Sequence, residues 1–195
     1  MPLRDPERTR TAILETAETL FARQGFSDTS LQQIGEAAGF ARSTPAYFFQ
    51  SKQELYDAVL RGALERARET MRPAVEAVGA GASPEKALDT LVGRFLDFLA
   101  GDENYVLLVQ REALAAQPSL PTLVDEEAVA ETRRSIIAAL GGEDVDHVIL
   151  ELFALCWFPF AHSRTLVASL GFDARDPEFL KRHRARIVHL FAGPT

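Results

Sequence analysis

Apolar residues recur at helical spacing along the chain, whereas no segment alternates apolar and polar residues as a half-buried strand does. The first predicted helix begins after Asp5, with Pro6 in its first turn, and ends at Gly25. Its apolar positions follow steps of i, i+1, i+4, i+7 and i+8: Ile13, Leu14, Ala17, Leu20 and Phe21. The whole pattern predicts an all-α protein of about nine helices.

Two short helices are predicted next. Thr29 and Gln32 form a capping-box pattern that opens a helix through Ala38, and Gly39 closes it. A third helix is predicted within Arg42–Phe48. Two short helices joined by a glycine that can adopt a left-handed conformation are typical of a helix-turn-helix.

The rest of the chain is predicted to form longer helices. Ser51 and Glu54 form a second capping box, which starts a long helix that Pro73 bends or ends. A linker over Gly79–Ala82 precedes a helix that begins at Ser83 and stops at Gly101. Further helices are predicted over Asn104–Ala116, from about Thr122 to Leu140, over Asp144–Leu170 with a break at Pro159, and over Asp176–Phe191. We place the domain boundary between residues 1–55 and residues 56–195.

The composition restricts the class of protein. The longest stretches without a charged residue, 113–124 and 152–163, are twelve residues each, whereas a membrane-spanning helix needs about 20. The first residues are charged rather than apolar, so no secretory signal is predicted. The single cysteine, Cys156, cannot form an internal disulfide. We therefore expect a cytoplasmic protein with no membrane partner.

The charge is distributed unevenly. The formal net charge of −7 comes from 21 basic and 28 acidic residues and by itself argues against a nucleic-acid partner. Residues 1–55, however, hold six basic and seven acidic residues and carry only −1, which leaves −6 on the remainder. This distribution permits a DNA-binding head without demonstrating one.

The helix-turn-helix pattern places polar side chains where a duplex would lie. On its second helix, Arg42, Ser43, Thr44 and Tyr47 are candidates for contacts with base edges and phosphates, while Lys52 is positioned to meet a phosphate. Thr29 is a predicted cap whose helix N-terminus could also meet a phosphate. Small residues are expected where the helices cross, and the predicted apolar anchors are Ile34, Phe40 and Phe49. Alternatives stay open: Tyr47 and Phe48 as core aromatics, and Arg4, Arg8 and Arg10 as either phosphate contacts or solvated charges.

The segment from about Arg8 to Leu60 resembles the DNA-binding head of the TetR family of bacterial transcription regulators. The matching features are an Ile-Leu-x-x-Ala-x-x-Leu-Phe helix over Ile13–Phe21, then Gly25, Phe26, Thr29, Ile34, Ala38, Gly39, Tyr47, Phe49, Ser51, Lys52 and Leu55. The resemblance covers just over a quarter of the chain. It implies a homodimer with an N-terminal DNA-binding domain and a larger helical domain that binds a small molecule and dimerises through its last two helices.

Four positions depart from the family pattern. Ala41 replaces the usual capping serine, and Gly35 replaces a common alanine; each change costs about 1 kcal/mol. Pro45 lacks an N–H, so we expect the recognition helix to start late or tightly wound, with Ser43 or Thr44 as its cap. The usual tyrosine falls at Ala46, and Tyr47 sits one place later, which corresponds to a rotation of about 100° on a helix.

The larger domain contains more apolar residues than one bundle seam requires. Candidate lining residues for a ligand pocket are Phe95, Phe98, Tyr105, Arg111, Phe153 and Trp157, although an ordinary core with a few satisfied polar groups would show the same pattern. The last helix has an apolar stripe that pairs with the apolar run Val145–Phe160, and a second subunit is the natural cover for both. The basic residues Lys181, Arg182, Arg184 and Arg186 are interpreted as a solvated or acid-paired face.

Signals for an enzyme are weak. Cys156 and His162 do not share a helical face, and His147 with Glu151 lacks a third metal ligand. We therefore expect no catalytic residues, no metal and no cofactor. The sequence favours a dimeric, small-molecule-responsive repressor of a palindromic operator. The alternative is a helical ligand-binding protein or enzyme whose head no longer binds DNA.

Overall fold

The structure is a computed structural model that describes residues 5–79, 81–127, 129–130, 133–134, 137 and 144–192. Within these ranges ten helices have defined bounds, numbered here α1 to α10, and there is no strand. The all-α prediction is confirmed. Of the predicted helix from about Thr122 to Leu140, the described residues 126–127, 129–130, 133–134 and 137 are helical, and the other residues from 128 to 140 lie outside the described ranges.

Helix α1 (Pro6–Gln24) has the predicted ends. The Arg8 backbone N–H donates to Oδ1 of Asp5 at 3.2 Å, and Gly25 ends the helix with a positive φ of 91°. Ile13 and Phe21 are fully buried on its inner face. Local caps and an apolar stripe are therefore sufficient to define this helix.

Helix α2 (Leu31–Ala37) begins one residue later than the sequence pattern predicted. Its capping box is formed by Ser30 and Gln33: the Gln33 N–H donates to Ser30 Oγ at 3.2 Å, and the Ser30 N–H donates to Gln33 Oε1 at 2.8 Å. The predicted pair of Thr29 and Gln32 is wrong because the Thr29 hydroxyl donates to the Gly25 carbonyl oxygen at 2.8 Å. This bond turns the Thr29 side chain away from the helix N-terminus.

Helix α3 (Thr44–Phe48) begins late, as predicted from Pro45. Ser43 occupies the N-cap position, but its side chain makes no capping hydrogen bond. Gly39, between α2 and α3, adopts the left-handed conformation with a φ of 78°. The two short helices and the glycine turn confirm the helix-turn-helix.

Helix α4 (Lys52–Gly79) starts after Ser51, whose Oγ accepts from the Glu54 N–H at 3.0 Å. The Glu54 carboxylate accepts from the Gln50 N–H at 2.7 Å, one residue earlier than the pattern predicted. Pro73 lies inside the helix and does not end it. Since Gly79 is still helical, the predicted linker begins later.

The described residues fall into two compact units. The first unit lies within Met1–Leu64 and Asn104–Leu123, and the second within Glu65–Glu103 and Val124–Thr195. The first unit contains the helix-turn-helix with most of α6 (Glu103–Ala113) and all of α7 (Leu120–Leu123). Helix α4 begins in the first unit and continues into the second.

The second unit is built around α5 (Pro84–Gly101), which packs against α8 (Val145–Ala161) and α10 (Pro177–Ala192). On α10, Arg184 donates two hydrogen bonds to the Asp89 carboxylate, at 2.6 and 2.5 Å. A methyl group on Gly93 would lie 2.5 Å from Cζ of Arg184, so the absence of a side chain there lets the guanidinium lie against α5. The acid-paired interpretation of the basic run is therefore correct for Arg184.

The single predicted helix over Asp144–Leu170 is two helices. Helix α8 ends at Ala161 and the short helix α9 spans Leu166–Ser169. The break spans residues 162–165 and does not fall at Pro159, which lies within α8. Pro159 removes one helical N–H, and that loss alone does not end the helix.

Candidate nucleic-acid interface

The helix-turn-helix depends on a close approach between α2 and the segment that leads into α3. A methyl group on Gly35 would lie 2.8 Å from the Ala41 carbonyl oxygen and 3.0 Å from Cδ of Pro45. An alanine would therefore force the backbone apart, which explains the departure from the family pattern at this position. Ile34 and Phe49 are buried beneath the motif as predicted, and Phe40 is half-buried.

Several of the predicted DNA contacts lie on α3 or directly before it. Arg42 and Ser43 are exposed, and Thr44 is half-buried. The Tyr47 side chain is 78% exposed and meets the edge of the Phe48 ring at a centroid distance of 5.3 Å. Tyr47 is therefore not a core aromatic.

Arg42 has an acidic neighbour that the sequence pattern did not reveal. Its Nε donates to Oε1 of Glu36, on α2, and both side chains remain exposed. The two residues are six positions apart across the glycine turn. A carboxylate thus lies beside the predicted DNA-reading arginine.

Lys52, at the start of α4, is bonded to the segment between α1 and α2. Its Nζ lies 2.7 Å from the Phe26 carbonyl oxygen, 2.9 Å from that of Thr29 and 3.4 Å from that of Ser27. The ammonium also lies 4.3 Å from the centroid of the Phe26 ring. Because an ammonium has only three N–H donors, these carbonyls use the donors that a phosphate would need.

Two further predicted contacts have internal partners. Thr29 is 1% exposed, and its hydroxyl bonds to Gly25. The Arg10 guanidinium lies 5.2 Å from the centroid of the buried Phe49 ring. Arg4 lies outside the described residues.

Helix α6 is hydrogen-bonded to α1 and α4 within the first unit. Arg111, which the sequence placed in the ligand pocket, donates to the carbonyl oxygens of Ala22 and Arg23 at 2.7 and 2.5 Å. Glu112 is buried and accepts from the Tyr56 hydroxyl at 2.7 Å. Burial, together with this bond to Glu112, raises the pKa of Tyr56 well above its ordinary value.

The other oxygen of Glu112 organises the turn that follows α6. It accepts from the backbone N–H groups of Ser119 and Leu120, at 2.6 and 2.8 Å. Both oxygens of this buried carboxylate are thus hydrogen-bonded, as a buried acidic group requires.

Three of the six predicted ligand-pocket residues lie together in the second unit. The ring centroids of Phe95 and Phe153 are 5.7 Å apart, and Phe153 stacks on Trp157 at 5.3 Å with an interplanar angle of 13°. We call these three residues the aromatic cluster. Phe98 is half-buried on α5, whereas Tyr105 is buried on α6, in the first unit.

The residues considered for enzymatic chemistry have ordinary surroundings. Cys156 is buried, and burial raises the pKa of its thiol to about 12, which keeps it protonated at neutral pH. His147 bonds through Nδ1 to Asp144 at 2.7 Å, and this bond raises the pKa of the histidine. Among the described residues, no three His, Cys, Asp or Glu side chains are grouped as metal ligands. None of the helices in the described part of the chain has the length and apolar character needed to cross a bilayer.

Comparison with known proteins identifies the head. Residues 13–59 match the family model described as bacterial regulatory proteins, tetR family. The chain is 27% identical over 186 residues to the HTH-type transcriptional repressor NicS of Pseudomonas putida, an alignment that covers 88% of this chain and 85% of that protein. Residues 13–59 thus form a DNA-binding head of the TetR family. The chain is a DNA-binding transcription regulator.

Solved structures of TetR-type regulators share the fold. FadR of Bacillus subtilis, solved in complex with stearoyl-CoA, matches with a TM-score of 0.69 at 16% identity and covers 95% of this chain and 99% of its own. The ketosteroid regulator KstR2 of Mycobacterium tuberculosis matches with a TM-score of 0.69 at 23% identity and covers 95% of each chain. The TetR fold thus extends well beyond the head that the sequence motifs identified.

Sequence reasoning missed three features of this TetR-family head. The Glu36 side chain beside Arg42, the carbonyl partners of Lys52 and the attachment of Arg111 to α1 all depend on contacts between separate segments. The spacing of capping residues in the sequence does not indicate the carbonyl partners of Lys52 or the attachment of Arg111 to α1. The turn at Gly39 did place Glu36 and Arg42 on adjacent helices, which was a usable signal for their pairing.

Proposed function

We propose that this protein is a homodimeric repressor that binds a palindromic operator and is released from it by a small molecule. The observation that carries the proposal is the exposure of Tyr47 on the short helix α3 and of Arg42 and Ser43 directly before it, in a segment that lies close to α2 at Gly35. A recognition helix of this kind reads base edges in the major groove. We assign DNA binding to residues 1–55 and effector binding with dimerisation to residues 56–195.

The predicted DNA contacts divide into two groups by exposure. Arg42, Ser43 and Tyr47 are free to reach the duplex, with Thr44 beside them. Lys52 and Thr29 support the motif from within, because the ammonium and the hydroxyl both bond to backbone carbonyls. We therefore assign base and phosphate contacts to the first group and positioning to the second.

Exposed apolar residues on the last long helices support a dimer. Leu150 and Phe158 on α8, and Leu190 on α10, are 64%, 45% and 61% exposed. Side chains of this size are costly to leave in water, and a second copy of the chain would cover them. A two-fold dimer would also present two recognition helices to successive major grooves, about 34 Å apart.

The effector would bind at the aromatic cluster. Phe153 is 41% exposed while stacked on Trp157, so the cluster has ring surface available to a ligand. FadR was solved with stearoyl-CoA, KstR2 is named a ketosteroid regulator, and an acyl chain and a steroid are both large apolar groups. We infer that this protein, which we place in the cytoplasm with its operator, responds to a small molecule with an apolar portion.

A physical route for the response begins on α5. This helix carries Phe95, and the chain passes directly from α5 into α6. Arg111 and Glu112 then bond α6 to α1 and α4, the helices that flank the recognition motif. An effector that shifts α6 would therefore act on the head, and a coupling free energy of about 1 to 3 kcal/mol would change operator affinity about 5- to 150-fold.

A gel-shift titration with the DNA upstream of the protein's own gene tests DNA binding. We expect salt-sensitive binding of a dimer that weakens at least about tenfold in Arg42→Ala, as loss of a base contact does. Arg94→Ala, an exposed arginine on α5, is the matched control and should leave binding unchanged. DNA binding that is unchanged in Arg42→Ala would favour the alternative of a helical ligand-binding protein or enzyme with an inactive head.

Two further measurements separate the remaining parts of the proposal. Light scattering of the purified protein should give a dimer, and a monomer would overturn the two-fold arrangement. Expression of the adjacent genes should rise in a deletion strain, whereas a fall would indicate an activator. Native mass spectrometry of the purified protein would identify a retained effector by its mass.

A further inference from the structure

An acidic side chain lies on the surface that the proposed function turns towards DNA. Glu36 is on the last turn of α2, and its Oε1 accepts a hydrogen bond from Nε of Arg42. The side chains are 48% and 69% exposed, respectively. A negative charge at this place opposes the approach of a phosphate backbone, so its presence calls for a physical explanation.

The geometry of the Glu36–Arg42 pair explains why an acidic side chain is present on this surface. A guanidinium has five N–H donors in one plane, and the terminal Nη pair forms the fork that binds O6 and N7 of guanine. Glu36 engages Nε, at the inner end of the group, and leaves the terminal fork for a base. The bond also restricts rotation of the long arginine side chain, which otherwise loses conformational entropy when it binds.

We propose that Glu36 is a positioning residue that sets the sequence specificity of this regulator by orienting Arg42 and by weakening its binding to arbitrary DNA. The inference rests on the proposed role of Arg42 in operator reading. The charge of Glu36 would lower the affinity for every duplex. Only where a guanine binds the oriented Nη pair of Arg42 would this loss of affinity be offset. The ratio of specific to nonspecific affinity, rather than affinity itself, is the quantity it controls.

The test uses the full-length protein and two duplexes. The first is selected by the wild-type protein from a random-sequence library, and the second is a scrambled duplex of the same composition. Dissociation constants for both are measured for the wild type, Glu36→Gln, Arg42→Ala and the double variant. Asp28→Asn is the matched control, because Asp28 is an exposed acidic residue of the same unit that lies outside the Arg42 pair. Circular dichroism of each variant checks that the helices are intact.

We expect Glu36→Gln to bind the scrambled duplex more tightly and to lose specificity. The ratio of the two dissociation constants should fall at least about fivefold, the lower end of the discrimination that a bidentate arginine–guanine contact provides. Asp28→Asn should leave the ratio unchanged. In the Arg42→Ala background, Glu36→Gln should no longer alter the ratio, because the group that it positions is absent.

A second readout does not depend on overall affinity. Guanines of the selected duplex are replaced one at a time by 7-deazaguanine, which removes the N7 acceptor. The wild type should lose affinity at one guanine in each half-site, and Glu36→Gln should lose less at the same position.

Specific outcomes would overturn the inference. Glu36 would act only as one charge among many if Glu36→Gln left the ratio of the two dissociation constants unchanged. The same conclusion would follow if Asp28→Asn lowered this ratio equally, or if Glu36→Gln lowered it as much in the Arg42→Ala background. If the wild-type protein does not distinguish the two duplexes, operator reading itself fails, and this inference fails with it. The wild-type measurement therefore separates the failure of the proposed function from the failure of the inference alone.

Discussion

The carbonyl oxygen of Leu155 lies 2.8 Å from Nε2 of His183. In a regular helix this carbonyl would accept from the N–H four residues later, but that residue is Pro159, which has none. Since a carbonyl can only accept, Nε2 must carry the hydrogen. A side chain of α10 thus replaces the missing helical donor of α8, and this explains why Pro159 does not end α8.

His183→Leu is expected to destabilise the protein by about 1 kcal/mol or more, because it leaves a part-buried carbonyl unpaired. In a Pro159→Ala background the cost should shrink, because alanine restores a backbone N–H to the helix. The loss of ring stacking between His183 and Phe179 is common to both backgrounds and cancels from the comparison. Urea unfolding of the four proteins measures the difference, with the exposed His189→Leu as a control. If His183→Leu lowered the free energy of unfolding equally in the two backgrounds, His183 would not be substituting for the missing backbone donor.

Gly35→Ala tests the close approach in the helix-turn-helix. Helix propensity alone favours alanine by about 1 kcal/mol, whereas the contact of 2.8 Å with the Ala41 carbonyl opposes it. We expect the steric effect to prevail and to lower operator affinity at least about tenfold by displacing α3. Gly101→Ala, at a helical glycine with open space around it, is the control and should be neutral or stabilising. Full operator affinity in Gly35→Ala would contradict the steric argument.

Lys52→Met separates a positioning role from a phosphate contact. Because the ammonium bonds to the Phe26 and Thr29 carbonyls, its removal should weaken binding to all duplexes by loosening the head. The slope of log affinity against log salt should stay unchanged, whereas loss of a phosphate contact would reduce it by about 0.9. Binding titrations between about 50 and 200 mM salt measure the slope. A reduced slope would return Lys52 to the group of phosphate contacts.

Alkaline pH is expected to destabilise the protein. Burial raises the pKa of Cys156 from 9.0 to about 12, and burial with the Glu112 bond raises that of Tyr56 above 10.0. The folded state therefore keeps both protons at pH values where the unfolded state has released them. The stabilisation is complete below about pH 9 and is lost as the pH rises, by up to about 1.4 kcal/mol per pH unit for each group.

Denaturant unfolding from about pH 8 to pH 11 measures this dependence. Tyr56→Phe and Cys156→Ala should each reduce the slope of the free energy of unfolding against pH by the equivalent of one released proton. The double variant should reduce this slope by the equivalent of two. A free energy of unfolding that is constant over this range would show that neither group is protected as described.

The sequence by itself determined the helical class, the family and most helix ends. Asp5, Gly25 and Gly39 act on backbone groups no more than four positions away, so their effects can be read from local spacing. The capping box of α2 was misplaced by one residue because Thr29 and Ser30 are both good caps. Only the folded turn shows that the Thr29 hydroxyl is bonded to Gly25.

Tertiary structure decided what the nitrogen donors of the side chains bind. Lys52 bonds to a carbonyl 26 residues away, Arg111 to one 89 residues away and His183 to one 28 residues away. A lysine or arginine in a pattern has the same donors whether it meets a phosphate, a ligand or a backbone carbonyl. Which of these groups a side chain binds depends on where a helix end or a proline leaves a carbonyl oxygen without a backbone donor. Only the packing of the helices brings such an oxygen within reach of the side chain.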